Sequence, residues 1–178
     1  MIKHTSKLCT IAIITMLAGC ASPAQMKNMS VNSESLKIEN DSPLRKNMTV
    51  RTVTGGSETN PMWTSQVSSK DLKGALTSSF KATELQSDNP NARYALDAAM
   101  IELNQPFIGL NMTVKSTIDY TVIDTKTNSV VFDESISAPF TASPGDSLVG
   151  MRRLRLANEG AIRENITKLI KELQDLEL

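Results

Sequence analysis

The chain has 178 residues, with 19 Lys and Arg against 19 Asp and Glu, so its formal net charge is zero. It lacks the excess of basic residues with which proteins bind nucleic acids, and we expect no nucleic-acid partner. The length suits one compact domain preceded by a short additional segment.

The start of the chain has the organisation of a cleavable signal peptide. Lys3, His4 and Lys7 give it a positive end, and residues 8–17 form an apolar run. This run is shorter than the stretch of about 20 residues that a membrane-spanning helix needs. Two small residues then precede Cys20. The pattern predicts export and cleavage.

The tetrapeptide Leu17-Ala18-Gly19-Cys20 resembles the lipobox of bacterial lipoproteins. The resemblance implies that residues 1–19 are removed and that Cys20 is acylated. The acyl chains would anchor the protein, and two of them hold a membrane better than one. Ala21 stands where inner-membrane lipoproteins carry Asp. The resemblance therefore implies an outer-membrane lipoprotein on the periplasmic side, with the membrane as a partner through Cys20.

Processing at this site would also limit the chemistry that the chain can perform. Cleavage removes His4, the only histidine, together with Cys9, and acylation uses Cys20, the only other cysteine. A histidine general base, a Ser-His-Asp triad or a Cys/His zinc site would then lack its residues. We expect no enzymatic activity, no cofactor and no metal.

Residues 20–47 are rich in Ser, Asn, Lys and Glu, and their apolar residues are scattered. This composition predicts a lipidated N-terminus followed by a flexible tether. A short strand around residues 36–38 is the alternative for part of it. An α+β domain is expected over residues 48–178.

The first elements of this domain are a strand and a helix. Residues 48–54 are rich in β-branched side chains and are followed by two glycines, which is typical of a strand that leads into a loop. Ser68 or Ser69 can cap a helix that ends near Leu85 and has apolar residues on one face. Residues 94–103 suit either a helix or a strand with both faces buried, and we predict a strand.

A hairpin and a long helix complete the predicted order. Residues 110–122 alternate between apolar and polar side chains, as do residues 130–140, although Glu134 interrupts the second apolar face. Residues 143–147 then cap a helix with an apolar stripe from Leu148 to Leu173. The order β-α-β-β-β-α predicts a two-layer α+β fold in which two helices cover one face of a mainly antiparallel sheet.

This order of elements resembles small envelope lipoproteins of Gram-negative bacteria, such as the TolB N-terminal domain and ABC-transport auxiliary lipoproteins. Residues 157–166 of the last helix are similar to a pattern in lipoproteins of this kind. The resemblance covers a single helix, so it assigns no binding residues.

Four features suggest catalysis or binding, and each has a simpler structural explanation. Ser78 and Lys81 fit the S-x-x-K spacing of penicillin-recognising enzymes, but the companion motifs are absent. Glu134 is a carboxylate on an apolar strand face. A strand that leaves the core at this point explains it better than a catalytic role does. The Thr-rich face of the sheet could be a binding surface, but it is explained more simply as the solvated side. Trp63 could contact a partner, but a position in the core explains it more simply.

Arg152, Arg153 and Arg155 crowd the start of the last helix, where the helix dipole disfavours positive charge. They are our candidates for binding an anionic headgroup, a glycan or a partner carboxylate. The alternative is a solvated face balanced by Asp146 and Glu159.

The sequence thus favours a non-catalytic binding or assembly module of the cell envelope, with an envelope protein as the expected partner. An auxiliary subunit of a lipid transporter is one alternative, and it predicts an apolar groove between helix and sheet. A Ser-Lys hydrolase is the other, and it predicts that Ser78 and Lys81 line a cleft.

Overall fold

The computed structural model describes residues 21–60, 64–89 and 91–178. The lipobox, Cys20 and Trp63 lie outside the described residues. The predicted order of elements is confirmed, with a four-residue helix and a 3-10 turn (Glu34–Leu36) added before the first strand. The elements are α1 (Met26–Met29), β1 (Met48–Thr54), α2 (Ser69–Ala82), β2 (Tyr94–Asn104), β3 (Met112–Asp124), β4 (Ser129–Ala142) and α3 (Gly150–Gln174).

The described strands form one sheet in the order β1-β2-β3-β4. β1 and β2 are parallel, and the other neighbours are antiparallel. The parallel pair requires a long crossover, which α2 provides. α2 packs on β1, while α3 packs on β3 and β4, so the predicted two-layer α+β class is confirmed.

Residues 94–103 form a strand, as predicted, and they lie inside the sheet. β2 has a hydrogen-bonded neighbour on each side, and the first three of its residues are all buried. Its outer face also carries apolar residues, of which Ala95 is buried and Ala99 half-buried, so the sequence of this strand lacks the apolar-polar alternation that identifies a half-exposed one.

The β3–β4 hairpin is also confirmed, with two departures in β4. The register shifts beside Val131, since Val122 pairs with Phe132 while Ile123 pairs with Val130. An extra residue of this kind reverses the facing of the side chains beyond it. Val130 is therefore 58% exposed instead of in the core. Glu134 is exposed at this edge of the sheet.

The N-terminal segment, residues 21–47, differs from the predicted flexible tether. Met29 and Leu44 are completely buried in the main core, and Val31, Leu36 and Ile38 are nearly so. The apolar residues that look scattered in sequence thus pack against the helices of the domain. The alternative strand around residues 36–38 is absent: a 3-10 turn ends at Leu36, and residues 37 and 38 are irregular.

α3 begins two residues later than predicted and without a side-chain cap. Asp146 accepts hydrogen bonds from the backbone and hydroxyl of Ser143, so it closes a preceding turn. Leu148 consequently lies outside the helix and is exposed. No helix among the described residues is both long and apolar enough to cross a bilayer.

Candidate functional site

An apolar groove of about 790 Å³ lies at one end of the sheet, between the β2–β3 loop and the start of α3. Twelve of the described residues line it, and none of them is charged. A concave, mainly apolar surface with a few polar groups is the usual form of a binding site. The lining residues are Thr64, Gln66, Gln105, Pro106, Phe107, Ile108, Gly109, Met112, Val149, Gly150, Met151 and Leu154.

Large apolar side chains stand exposed around this groove, on the loop before β3 and the loop before α3. We call them the rim. Soluble proteins seldom expose clusters of such residues unless the cluster contacts another molecule or a membrane. The rim consists of Phe107, Ile108, Leu110, Leu148 and Val149.

Arg153 holds the two rim loops in place. Its Nη1 donates to the carbonyl oxygens of Ser147, at 2.7 Å, and Leu148, at 3.0 Å. Its Nη2 lies 3.5 Å from the carbonyl oxygen of Gly109 in the other loop. The residue is buried, and both Nη atoms donate to the protein itself, whereas its buried Nε has no hydrogen-bond partner among the described residues.

The three predicted anion-binding arginines therefore have different surroundings. Arg152 is exposed, Arg153 braces the rim, and the Arg155 Nε lies 3.6 Å from Glu159 Oε1. Of the three, only Arg152 is freely accessible on the surface. An anion site that needs all three guanidinium groups has no support from this arrangement.

A polar network lies beneath the groove. Gln105 Nε2 donates to the Ser65 carbonyl oxygen and to Asn158 Oδ1, both at 2.8 Å. Asn158 Nδ2 donates to the same Ser65 carbonyl at 2.9 Å, and the Thr64 hydroxyl donates to Gln105 Oε1 at 3.0 Å. Asn158 is completely buried. Such satisfied buried networks fix the relative positions of the elements that they join.

The first described residues are joined to this network. The Ser65 hydroxyl donates to the Ser22 carbonyl oxygen at 2.7 Å. The Ala24 backbone N–H donates to the Gln66 carbonyl oxygen at 3.2 Å. Ala21 is itself buried. The N-terminal segment therefore starts beside the residues that line the groove.

Glu159 holds the same segment from the other side. Its Oε1 accepts the Gln25 backbone N–H and its Oε2 accepts the Asn28 side-chain amide, both at 2.9 Å. Arg163 donates to the Asn28 carbonyl oxygen at 2.8 Å. Glu159 is 1% exposed, so the expectation that it lies on the solvated side of its helix is wrong.

Ser78 and Lys81 lie on the exposed side of α2, and neither lines the groove. The neighbouring Ser79 is the buried serine: its hydroxyl donates to the Ala75 carbonyl and accepts the Val31 N–H. Among the described residues, no group of three or more His, Cys, Asp or Glu side chains is placed to hold a metal ion.

No described helix covers the Thr-rich face of the sheet, and its hydroxyl groups form hydrogen bonds across the strands, either with another hydroxyl or with a carboxylate. Direct cross-strand pairs of this kind stabilise a sheet. The pairs are Thr113 with Thr141, Thr117 with Ser137, and Thr121 with Asp133.

The transporter-subunit alternative predicts an apolar groove, but the residues that form this groove and its rim were not identified from the sequence. Residues 105–109 lie between two predicted strands, and they contain Phe107 and Ile108. A signal was available, because large apolar residues between two chain-breaking residues cannot be explained by the periodicity of a strand or helix. The buried network beneath them joins residues far apart in sequence, and no local pattern shows it.

The sequence matches no protein-family model and no curated protein. The fold is similar to that of a DUF330-family protein from Xanthomonas campestris, with a TM-score of 0.54 and 10% identity over 75% of this chain and 87% of that one. It is also similar to a protein from Caulobacter crescentus CB15, provisionally described as a lipoprotein, with a TM-score of 0.51 and 15% identity over 73% and 89% of the two chains. The chain therefore shares its α+β fold with these bacterial proteins.

Proposed function

We propose that this chain is a lipoprotein of the outer membrane, anchored through Cys20 and facing the periplasm, and that it acts as a non-catalytic binding or assembly module. The groove carries the binding part of the proposal. It is large, apolar and uncharged among its described lining residues, and two loops hold exposed apolar side chains around it. An envelope component, with a protein as the first expectation, is the partner that we propose.

The anchoring part of the proposal rests on the lipobox-like residues 17–20 and on the apolar run before them. One of the proteins that share the fold is provisionally described as a lipoprotein, which agrees with it. The first described residue, Ala21, directly follows the proposed acylated cysteine. A folded domain attached in this way would remain at the membrane surface.

Metabolic labelling with palmitate tests the anchor. We expect the full chain to take up the label and to fractionate with outer membranes, and we expect the Cys20→Ser variant to take up none. An unlabelled wild-type chain, or a labelled one in the inner membrane, contradicts the proposal. Cys9→Ser is the matched control, because that residue lies in the segment removed by processing.

The groove also favours a second candidate, an auxiliary lipoprotein of an envelope lipid transporter. That function requires an apolar cavity that can receive an acyl chain, and the groove has the necessary lining. Lipid that co-purifies with the wild-type chain, and that is lost when Met151 and Leu154 are both changed to Gln, distinguishes this candidate. No observation favours a Ser-Lys hydrolase, since Ser78 and Lys81 are exposed and apart from the groove.

A further inference from the structure

The first described residues, which directly follow the proposed anchor, lie at the same end of the molecule as the exposed apolar rim. Ser22 accepts a hydrogen bond from Ser65, and the residues on either side of Ser65 line the groove. Ala21 follows Cys20 directly, and consecutive Cα atoms are about 3.8 Å apart. A lipid attached to Cys20 therefore starts close to the groove.

The N-terminal segment cannot easily move the anchor away from this end. Ala24 bonds to Gln66, and Gln25 and Asn28 bond to the buried Glu159. Met29 is completely buried. The chain is thus fixed to the domain within the first few residues after the anchor, where a flexible tether would have let the domain rotate and lift off.

The chemistry of the rim suits a hydrocarbon surface. All five rim side chains are apolar and exposed, and the described lining of the groove has no charge. A glycan or an anionic peptide would leave these side chains in water, whereas a bilayer covers them. The exposed Arg152 beside the rim has the charge that attracts anionic lipid headgroups.

We infer that the rim inserts into the surface of the membrane that holds the acyl chains of Cys20, so that the domain is fixed on the bilayer with the groove opening toward the lipid. This inference rests on the proposed function, because it requires an acylated Cys20. It identifies the occupant of the rim as bilayer lipid.

Fluorescence quenching tests it on the full chain, processed and acylated in a Gram-negative host. Ile108→Cys and Leu148→Cys are labelled with an environment-sensitive dye, since both side chains are almost fully exposed, at 87% and 88%. The protein is inserted into vesicles of phosphatidylethanolamine and phosphatidylglycerol that contain lipids with a quencher on the acyl chain. We expect a blue shift and a loss of at least about half of the emission at both positions, because inserted side chains reach the acyl boundary.

Val130→Cys is the matched control. Val130 is also an exposed apolar residue, but it lies at the opposite end of the sheet, about 40 Å away along a 13-residue strand. Its dye is expected to remain unquenched. Circular dichroism and urea unfolding establish that the three labelled variants are folded.

Each other outcome overturns the inference in a recognisable way. Acylated protein with no quenching at residues 108 and 148 leaves the proposed lipoprotein intact and removes the membrane contact. A blue shift without quenching shows that protein, either a second copy or a partner, covers the rim. Absence of acyl chains on Cys20 removes both proposals together, and palmitate labelling of the same preparation identifies that case.

Discussion

Arg93 and Asp124 form an ion pair that joins the residue before β2 to the last residue of β3. Arg93 Nη2 and Nε lie 2.8 and 3.0 Å from the same carboxylate oxygen. The other oxygen accepts the Lys126 backbone N–H at 2.9 Å. The hydrogen bonds from the Arg93 guanidinium lower the pKa of Asp124 below its ordinary value of 3.8, so this carboxylate stays ionised in the folded protein at mildly acidic pH.

This pair predicts a loss of stability in acid. Because the pKa of Asp124 is lower in the folded chain than in the unfolded chain, protonation favours unfolding. The stabilisation is present above the ordinary pKa and is lost as the pH falls through and below it. We expect the free energy of unfolding, measured in urea between pH 6 and pH 2.5, to decrease less steeply in Asp124→Asn than in the wild type.

Asp88→Asn is the control for this measurement, because Asp88 is exposed and lies in the nearby turn. It is expected to retain the wild-type slope. Equal slopes in all three proteins would show that Asp124 contributes nothing to the acid sensitivity.

At the residue scale, the sequence predicted some individual contacts and missed those that join distant segments. Ser68 or Ser69 was expected to cap α2, and it is the Ser68 hydroxyl that accepts the Asp71 N–H. A cap is a local interaction, which the order of residues reveals. Glu159 was misassigned because its partners Gln25 and Asn28 lie more than 130 positions away, and spacing along one helix cannot show such contacts.

At the scale of elements, α3 lies so close to β4 that only glycine fits at the contact. A Cβ built at Gly160 would lie 2.2 Å from Phe140 Cδ1. The close approach lets neighbouring residues of α3 reach the sheet, where the Asn165 amide binds the Ile136 carbonyl oxygen at 2.8 Å. Position 160 therefore sets the distance between helix and sheet.

Gly160→Ala is expected to destabilise the protein by about 1–3 kcal/mol, because the added methyl group must displace a ring in a packed core. Urea denaturation measures this loss. The matched control is Gly150→Ala on the same helix, where a Cβ would lie no closer than 3.8 Å to its neighbours. We expect that control to be neutral or stabilising by up to about 1 kcal/mol. If both variants unfold at the same urea concentration, the close approach to Phe140 does not exclude a side chain at position 160.

The elements themselves were predictable where one face is buried and the other is wet. β3 has this alternation along its whole length, and it was predicted correctly. Residues 94–103 were ambiguous because apolar residues such as Ala95 and Ala99 stand on the outer face as well, which weakens the alternation, so pairing with β1 and β3 decides the outcome. Val130 was misplaced because the bulge beside Val131 changes the facing of the chain, and the sequence gives no sign of it.

At the scale of the whole molecule, the N-terminal segment belongs to the folded unit. Its polar composition suggested a tether, but a few apolar residues are enough to hold it, since each fits a space between other elements. Met29 shows the effect most clearly, because it is completely buried while Met26, on the same short helix, is 42% exposed.

Met29→Ala is expected to reduce the free energy of unfolding by about 2–5 kcal/mol, the usual cost of a cavity at a buried long side chain. Met26→Ala, its control, should change stability far less. Urea unfolding gives the size of each effect, and proteolysis of the folded chains shows whether residues 21–47 become accessible. Equal, small effects would mean that the segment does not fold together with the domain.

The outer edge of β4 has a consequence for how closely copies could crowd on a membrane under the proposed anchoring. Its backbone groups face no other strand among the described residues, and free edges of this kind pair with other molecules and seed aggregates. Anchored proteins meet one another often, because they are confined to two dimensions. The register shift at Val131, the charges of Asp133 and Glu134 and the missing N–H of Pro139 all oppose edge-to-edge pairing, which would keep copies of the chain dispersed on a membrane if it is anchored there as proposed.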